Sequence, residues 1–325
     1  MNNKIFTITA VITAIASVII TFTIVTGRYF NLSVILPFFT VIVALFFLFA
    51  LYIYRSKPST VNISILGFPQ SGKTVFLTML YYFINTQKSI NEILFIPKGR
   101  ESIEKVAENM TLLQKGEWLP RTTIANPVFF FRAIAVLKRV FFNSKYLIEI
   151  GDFAGEETQN ISEYDKKWLH KNEYFKYVIY SDIIWLAFDC SILKDYEDRV
   201  ECENKFISAL QMIMDEKGVK IEKKMRTPVC LLFLKADINN YYEYPKDLLL
   251  QVGHLYNFCT KHFECFNYFA ISSVGKVYED VPPKEMEPIN VEKPLIWSLK
   301  NMRNVHVNTS HSTLRKGEIN NIEYF

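Results

Sequence analysis

Between a β-branched apolar run, Val61–Leu66, and a helix-like run that follows at once, the chain carries Gly67, Phe68, Pro69, Gln70, Ser71, Gly72, Lys73 and Thr74. The pattern Gly-x-x-x-x-Gly-Lys-Thr in a strand–loop–helix setting is that of a phosphate-binding loop. It restricts the fold because the loop works only where a strand delivers it and a helix receives it. The two glycines let the backbone curl so that successive N–H groups point inward. Lys73 then reaches the β- and γ-phosphates, the Thr74 hydroxyl serves Mg²⁺, and the helix start adds its positive end. All eight residues are therefore expected to contact a nucleotide.

Three shorter motifs follow in order, each after a strand-like run. Tyr146–Gly151 ends in Asp152-Phe153-Ala154-Gly155. An Asp at a strand's carboxyl end beside a phosphate loop holds Mg²⁺, usually through water, and the Gly155 N–H meets a γ-phosphate oxygen. Val229–Leu234 is a nearly all-apolar run, as is Ile183–Phe188, and such runs read as buried parallel strands. The first of these two ends in Leu234-Lys235-Ala236-Asp237, where Asp237 is expected to accept from the N1–H and exocyclic amine of guanine and the Lys235 stem to lie over the base. Tyr268–Ile271 ends in Ser272-Ser273-Val274-Gly275, whose backbone N–H groups are expected to face the guanine O6. Singly, Asp237 reads equally well as a helix cap and Ser272-Ser273 as a turn. Their order and shared placement at strand ends favour a site.

Over roughly residues 61–276 this order resembles the P-loop GTPases of the small-GTPase and translation-factor kind. Gly116-Glu117-Trp118-Leu119-Pro120-Arg121-Thr122, and Pro294-Leu295-Ile296-Trp297 near the end, are more similar to the bacterial double-GTPase or GTPase-associated-system proteins. The resemblance implies an α/β, Rossmann-like fold, a mostly parallel sheet with one antiparallel strand. It implies GTP/GDP and Mg²⁺ as ligands, and a switch threonine on Mg²⁺ and the γ-phosphate, for which Thr122 and the adjacent Thr123 both fit. In-line attack of water on the γ-phosphate would be assisted by Lys73 and Mg²⁺, the metal held by Thr74 with Asp152 behind it. Two residues depart from the family pattern. Leu234 stands where an Asn or Thr ties the base loop to the phosphate loop, and Glu156 stands where many small GTPases orient water with Gln. An anion facing a γ-phosphate implies slow turnover and a partner's arginine, with Glu157 an alternative at the same place.

Upstream, Ile5–Thr26 and Tyr29–Tyr54 carry no charge, and each has about the twenty apolar residues that cross a bilayer. They are expected to form a transmembrane hairpin over 1–57, in outline like the anchored β-subunit of the signal-recognition-particle receptor. Lys4, Arg55 and Lys57 outnumber Arg28 of the turn, so both ends are expected on the cytoplasmic side, and the resemblance implies a bacterial inner membrane. No ionisable residue lies within either run, so a proton relay or transport path lacks its groups. The net charge of +4 comes without a basic block, which sets nucleic acid aside as a partner. The five cysteines form no CxxC pair and read as buried small hydrophobes.

The domain itself is expected over 58–276 with an insertion at about 86–126, and 277–325 as a docked segment with a mobile end. Pro127–Phe142 and Lys145–Gly151 read as a hairpin turning at Asn143-Ser144. The stretch 159–180, with Tyr164, Trp168, Tyr174, Phe175 and Tyr177, falls where a second switch helix lies. Its aromatics either face an effector or pack on the sheet. The leading expectation is a membrane-anchored GTP switch that recruits a protein effector or activator. A nucleotide-bound scaffold with little hydrolysis and an ATPase of a membrane machine are the alternatives.

Overall fold

The computed structural model describes residues 58–87, 89–122, 129–138, 143–155, 158, 173–220, 222–277 and 281–306. The chain divides into 1–57 and 58–325. Both apolar runs read as membrane spans lie outside the described residues. Among the described residues no helix is long and apolar enough to cross a membrane.

Among the described residues seven strands form one sheet in the order β2-β3-β4-β1-β5-β6-β7. They are β1 (Ser59–Leu66), β2 (Ile93–Lys98), β3 (Phe129–Leu137), β4 (Ser144–Asp152), β5 (Ile183–Asp189), β6 (Val229–Leu234) and β7 (Phe266–Ala270). β4, β1, β5, β6 and β7 are parallel along the sheet. β3 alone runs against its neighbours β2 and β4. The expected mostly parallel sheet with one antiparallel strand is what forms. Leu137 pairs with Ser144, so Ser144 belongs to β4 rather than to the turn expected at Asn143-Ser144.

The central strands are apolar throughout because both faces are covered. Along β5, Ile183, Trp185 and Ala187 enter one buried cluster while Ile184, Leu186 and Phe188 enter the other. This is the two-residue alternation of a strand with helices on each side. The first face is covered by α1 (Lys73–Thr86), α2 (Arg100–Gln114) and, among others, Leu295, Leu299 and Met302 from near the chain's end. The second is covered by α3 (Glu173–Tyr180), α4 (Tyr196–Glu216), α5 (Pro245–Gln251) and α6 (Gly253–His262). The stretch expected as an insertion supplies edge strand β2 and the core residues Val106, Met110 and Leu113 of α2.

The segment after the last motif is also built into the domain. Ser272 and Ile289 exchange two backbone hydrogen bonds (3.2 and 2.8 Å), and Asn290 Nδ2 donates to the Ala270 carbonyl at 2.8 Å. The helix that follows, α7 (Lys293–His306), accepts the buried Trp185 indole N–H on Ser298 Oγ at 3.0 Å. The aromatics of α3 pack on the sheet. Tyr174 and Phe175 are buried, and the Tyr177 hydroxyl donates toward the carbonyls of Ile63 (3.1 Å) and Glu149 (3.0 Å). For these three the packing alternative holds, while Tyr164 and Trp168 lie outside the described residues. Cys190, Cys202, Cys230 and Cys259 are buried free thiols, and burial pushes each thiol up, away from reactivity.

Candidate nucleotide site

The parallel strands β4, β1, β5, β6 and β7 end along one edge of the sheet, so Asp152, Gly67, Asp189, Lys235 and Ile271 are delivered side by side. Ligands of open α/β sheets bind at this carboxyl edge. After β1 the backbone turns through Gln70 (φ 63°) and Gly72 (φ 88°), and Gly72 caps α1. Lys73, buried at the helix start, folds back over the loop and donates to the carbonyls of Gly67 (2.7 Å) and Phe68 (3.1 Å). The Phe68 ring packs on Phe206 of α4 at 4.9 Å between centroids, which fixes one side of the loop. Pro69 lies against Gly155, whose backbone approaches so closely that a Cβ there would stand 2.2 Å from the Pro69 nitrogen.

Three oxygens meet at the first turn of α1. The Thr74 hydroxyl lies 3.1 Å from the Thr122 hydroxyl and 3.3 Å from Asp152 Oδ1. Of the two candidate threonines, Thr122 therefore stands at the site, and Thr123 lies outside the described residues. Asp152 is buried, and loss of solvent pushes its carboxyl up to about 6, against the pull of Lys73 and the Thr74 hydrogen bond. Two hydroxyls and one buried carboxylate make a hard oxygen set of the kind Mg²⁺ takes together with phosphate and water. Ser71 Oγ, buried in the loop, has no hydrogen-bond partner among the described residues. A buried hydroxyl without a partner is costly unless a ligand supplies one. The loop and the oxygen set thus fit a Mg²⁺–nucleotide.

The base end is built from the loops after β6 and β7. Ser272 Oγ donates to Asp237 Oδ1 at 3.0 Å and accepts from Gly275 N–H at 3.1 Å, so one hydroxyl sets both the acceptor and the following turn. Burial pushes the Asp237 carboxyl above its ordinary value. Ser273 is buried in the same turn. Lys235 donates to Asp189 Oδ2 (2.6 Å) and to the Gln70 carbonyl (2.9 Å). The tie between base loop and phosphate loop that Leu234 cannot make is therefore present, carried by Lys235. Leu234 is itself buried in the apolar cluster under the sheet.

Lys73, Thr74, Thr122, Asp152, Gly155, Lys235, Asp237, Ser272 and Ser273 thus lie along one edge, as the motif order implies. Glu156, expected to face the γ-phosphate, lies outside the described residues together with Glu157. Two functional residues escape the motifs. Thr158 Oγ1 accepts the Gly67 N–H at 3.0 Å and pairs with the Tyr174 hydroxyl at 3.1 Å, joining the phosphate loop to α3. Its only signal is its place three residues beyond Gly155. Asp189, the anion under Lys235, is the polar end of an otherwise apolar strand, and that was the signal available.

Compared with the curated proteins, the chain matches none. The family model described as Double-GTPase 2 matches residues 61–248, more than half of the 325, from within β1 into α5. With a phosphate loop, its oxygen set and a guanine-type acceptor aligned on one sheet edge, the chain belongs to the Double-GTPase 2 family of P-loop GTP-binding proteins.

Proposed function

We propose that the chain is a membrane-anchored switch that binds GTP with Mg²⁺, hydrolyses it slowly, and presents its nucleotide state to a protein effector. The observation that carries this reading is the alignment of Lys73, the Thr74–Thr122–Asp152 oxygens and Asp237 on one edge. Lys73 holds a positive charge where the β- and γ-phosphates of GTP enter, and the unpartnered Ser71 hydroxyl lies in the same loop. Thr74, Thr122 and Asp152 would hold Mg²⁺, which would supply the charge neutralisation that phosphoryl transfer needs. Asp237 and the Ser272-Ser273 turn read the guanine edge. Thr122 belongs to the segment that would order or release with the γ-phosphate, as switch segments do. Glu156 in place of a water-orienting Gln supports slow intrinsic turnover.

Titrating the protein with fluorescent GTP and ATP, with and without Mg²⁺, tests the nucleotide part. GTP is expected to bind well ahead of ATP, and Asp237→Ala to lower GTP affinity by about ten- to hundredfold while leaving ATP unchanged, the range for a hydrogen bond to a charged group. Equal binding of the two nucleotides by the unaltered chain would remove guanine recognition from the proposal. Single-turnover hydrolysis no faster than that of Lys73→Ala would leave a nucleotide-bound scaffold instead.

The anchor is proposed from the two uncharged runs alone. The full chain is expected to float with liposomes and to resist extraction by carbonate, whereas the chain from Pro58 onward should stay in the aqueous fraction. Recovery of the full chain in that fraction would refute the anchor and leave the nucleotide site untouched.

A further inference from the structure

The family pattern ties the base loop to the phosphate loop through an Asn or Thr, and this chain has a buried Leu234 at that place. We propose that Asp189 takes over the task as a positioning residue, clamping the Lys235 ammonium so that it bridges the two loops. The inference rests on the guanine-nucleotide reading of the site and adds a residue to which no motif points.

Four hydrogen bonds carry the argument. Asp189 Oδ1 accepts from the Ser191 backbone N–H (2.8 Å) and hydroxyl (2.7 Å), which fixes the carboxylate's orientation. Its other oxygen, Oδ2, accepts from Lys235 Nζ at 2.6 Å, and the same ammonium donates to the Gln70 carbonyl at 2.9 Å. The ion pair is largely shielded on the acid's side, with the Asp189 side chain 13% exposed and the Lys235 side chain 37%. Shielding of this kind strengthens a charge-assisted hydrogen bond relative to one in open water.

Backbone conformation points the same way. Lys235 (φ 57°) and Gln70 (φ 63°) both sit in the left-handed region that residues with side chains seldom adopt. Such conformations persist where the surroundings over-determine them, and they cluster at ligand sites. Here the two are held together by one ammonium. The Lys235 stem runs over Gly72, where an added Cβ would lie 3.7 Å from Lys235 Cε, so the lysine covers the loop as well as reaching it. The register explains why Asp189 serves. It ends β5 directly beside Leu234 of β6, one residue before Lys235.

A competing role for Asp189 is that of an ordinary cap for the short 3₁₀ turn Cys190–Lys194, which its Oδ1 does cap. Asp189→Asn separates the two roles, since the amide oxygen keeps the Ser191 bonds while the charge facing Lys235 is lost. The test measures dissociation of a fluorescent GDP from the full chain and from Asp189→Asn, Lys235→Met and the double variant, beside their nucleotide-free melting temperatures. Asp189→Asn is expected to speed dissociation by about ten- to hundredfold with little change in melting. In the double variant dissociation should be no faster than in Lys235→Met alone, because Asp189 acts through the lysine. Dissociation from Asp189→Asn within about twofold of the unaltered chain, or an effect that adds in full to that of Lys235→Met, would overturn the proposal. Failure of the unaltered chain to bind GDP would overturn the underlying reading as well, and it is seen before any variant is measured.

Discussion

Asp152→Asn is expected to make the metal-free protein more stable at pH 8 by about 3 kcal/mol, while removing most of the Mg²⁺ dependence of nucleotide binding. The stabilising half follows from the raised carboxyl. The unfolded chain titrates Asp152 near 3.8, whereas burial in the folded protein moves the group to about 6. A group raised on folding contributes stability that is complete below 3.8 and is lost as pH rises through 6. Above that pH the folded protein carries a buried carboxylate at a cost that an amide does not incur. The amide still accepts the Thr74 hydrogen bond seen at 3.3 Å. Melting curves in a chelator should therefore diverge between pH 4 and pH 7, with the variant the more stable at the upper end. The functional half runs the other way. With Mg²⁺–GTP present, the unaltered chain gains a cation against its buried charge and the variant does not. Addition of Mg²⁺ should then raise the affinity of the unaltered chain about a hundredfold more than that of the variant. A variant that melts no higher than the parent at pH 8 without metal would show that the carboxylate is not penalised by its burial.

Gly155→Ala is the second large effect, and its cause is space rather than backbone conformation. A methyl group at 155 would lie 2.2 Å from the Pro69 nitrogen and 2.5 Å from the Phe68 carbonyl carbon. Both are backbone atoms of the phosphate loop, so no side chain can swing aside to make room. Overpacking of this sort costs about 3 kcal/mol or more. The variant should melt several degrees lower and lose GTP affinity by at least about a hundredfold, through separation of the two loops. Gly253→Ala provides the contrast, since a Cβ there meets nothing within 4 Å and is expected to leave both quantities in place. If Gly155→Ala bound GTP as tightly as the parent, the close approach of the two loops would not matter to the site.

Much of this architecture is legible in the chain because its central strands are buried on both faces. Runs such as Ile183–Phe188 and Val229–Leu234 have no polar alternation to confuse them with exposed edges, and β5 and β6 begin at the expected residues. The site is legible for a related reason. Motif residues follow strands, and parallel strands bring their carboxyl ends together whatever lies between them in sequence. What escaped reading depends on contacts made only across the fold. Asp189 is one carboxylate among many until β5 and β6 set it beside Lys235. Thr158 has no pattern of its own, and its partner Gly67 is ninety-one positions away. Tyr177 reads from sequence either as effector-facing or as packed, and only the fold decides it, with two strand carbonyls taking its hydroxyl. The loss implied by Leu234 was likewise offset from a neighbouring position, which composition at one site does not disclose.

The bridge between Ser272 and Ile289 has a mechanical meaning. The two backbone hydrogen bonds and the Asn290–Ala270 contact join the chain just before α7 to the turn beside Asp237. Displacement of the start of α7 would therefore shift the turn that holds Asp237. By reciprocity, a bound base that stiffens that turn would hold the start of α7 in place.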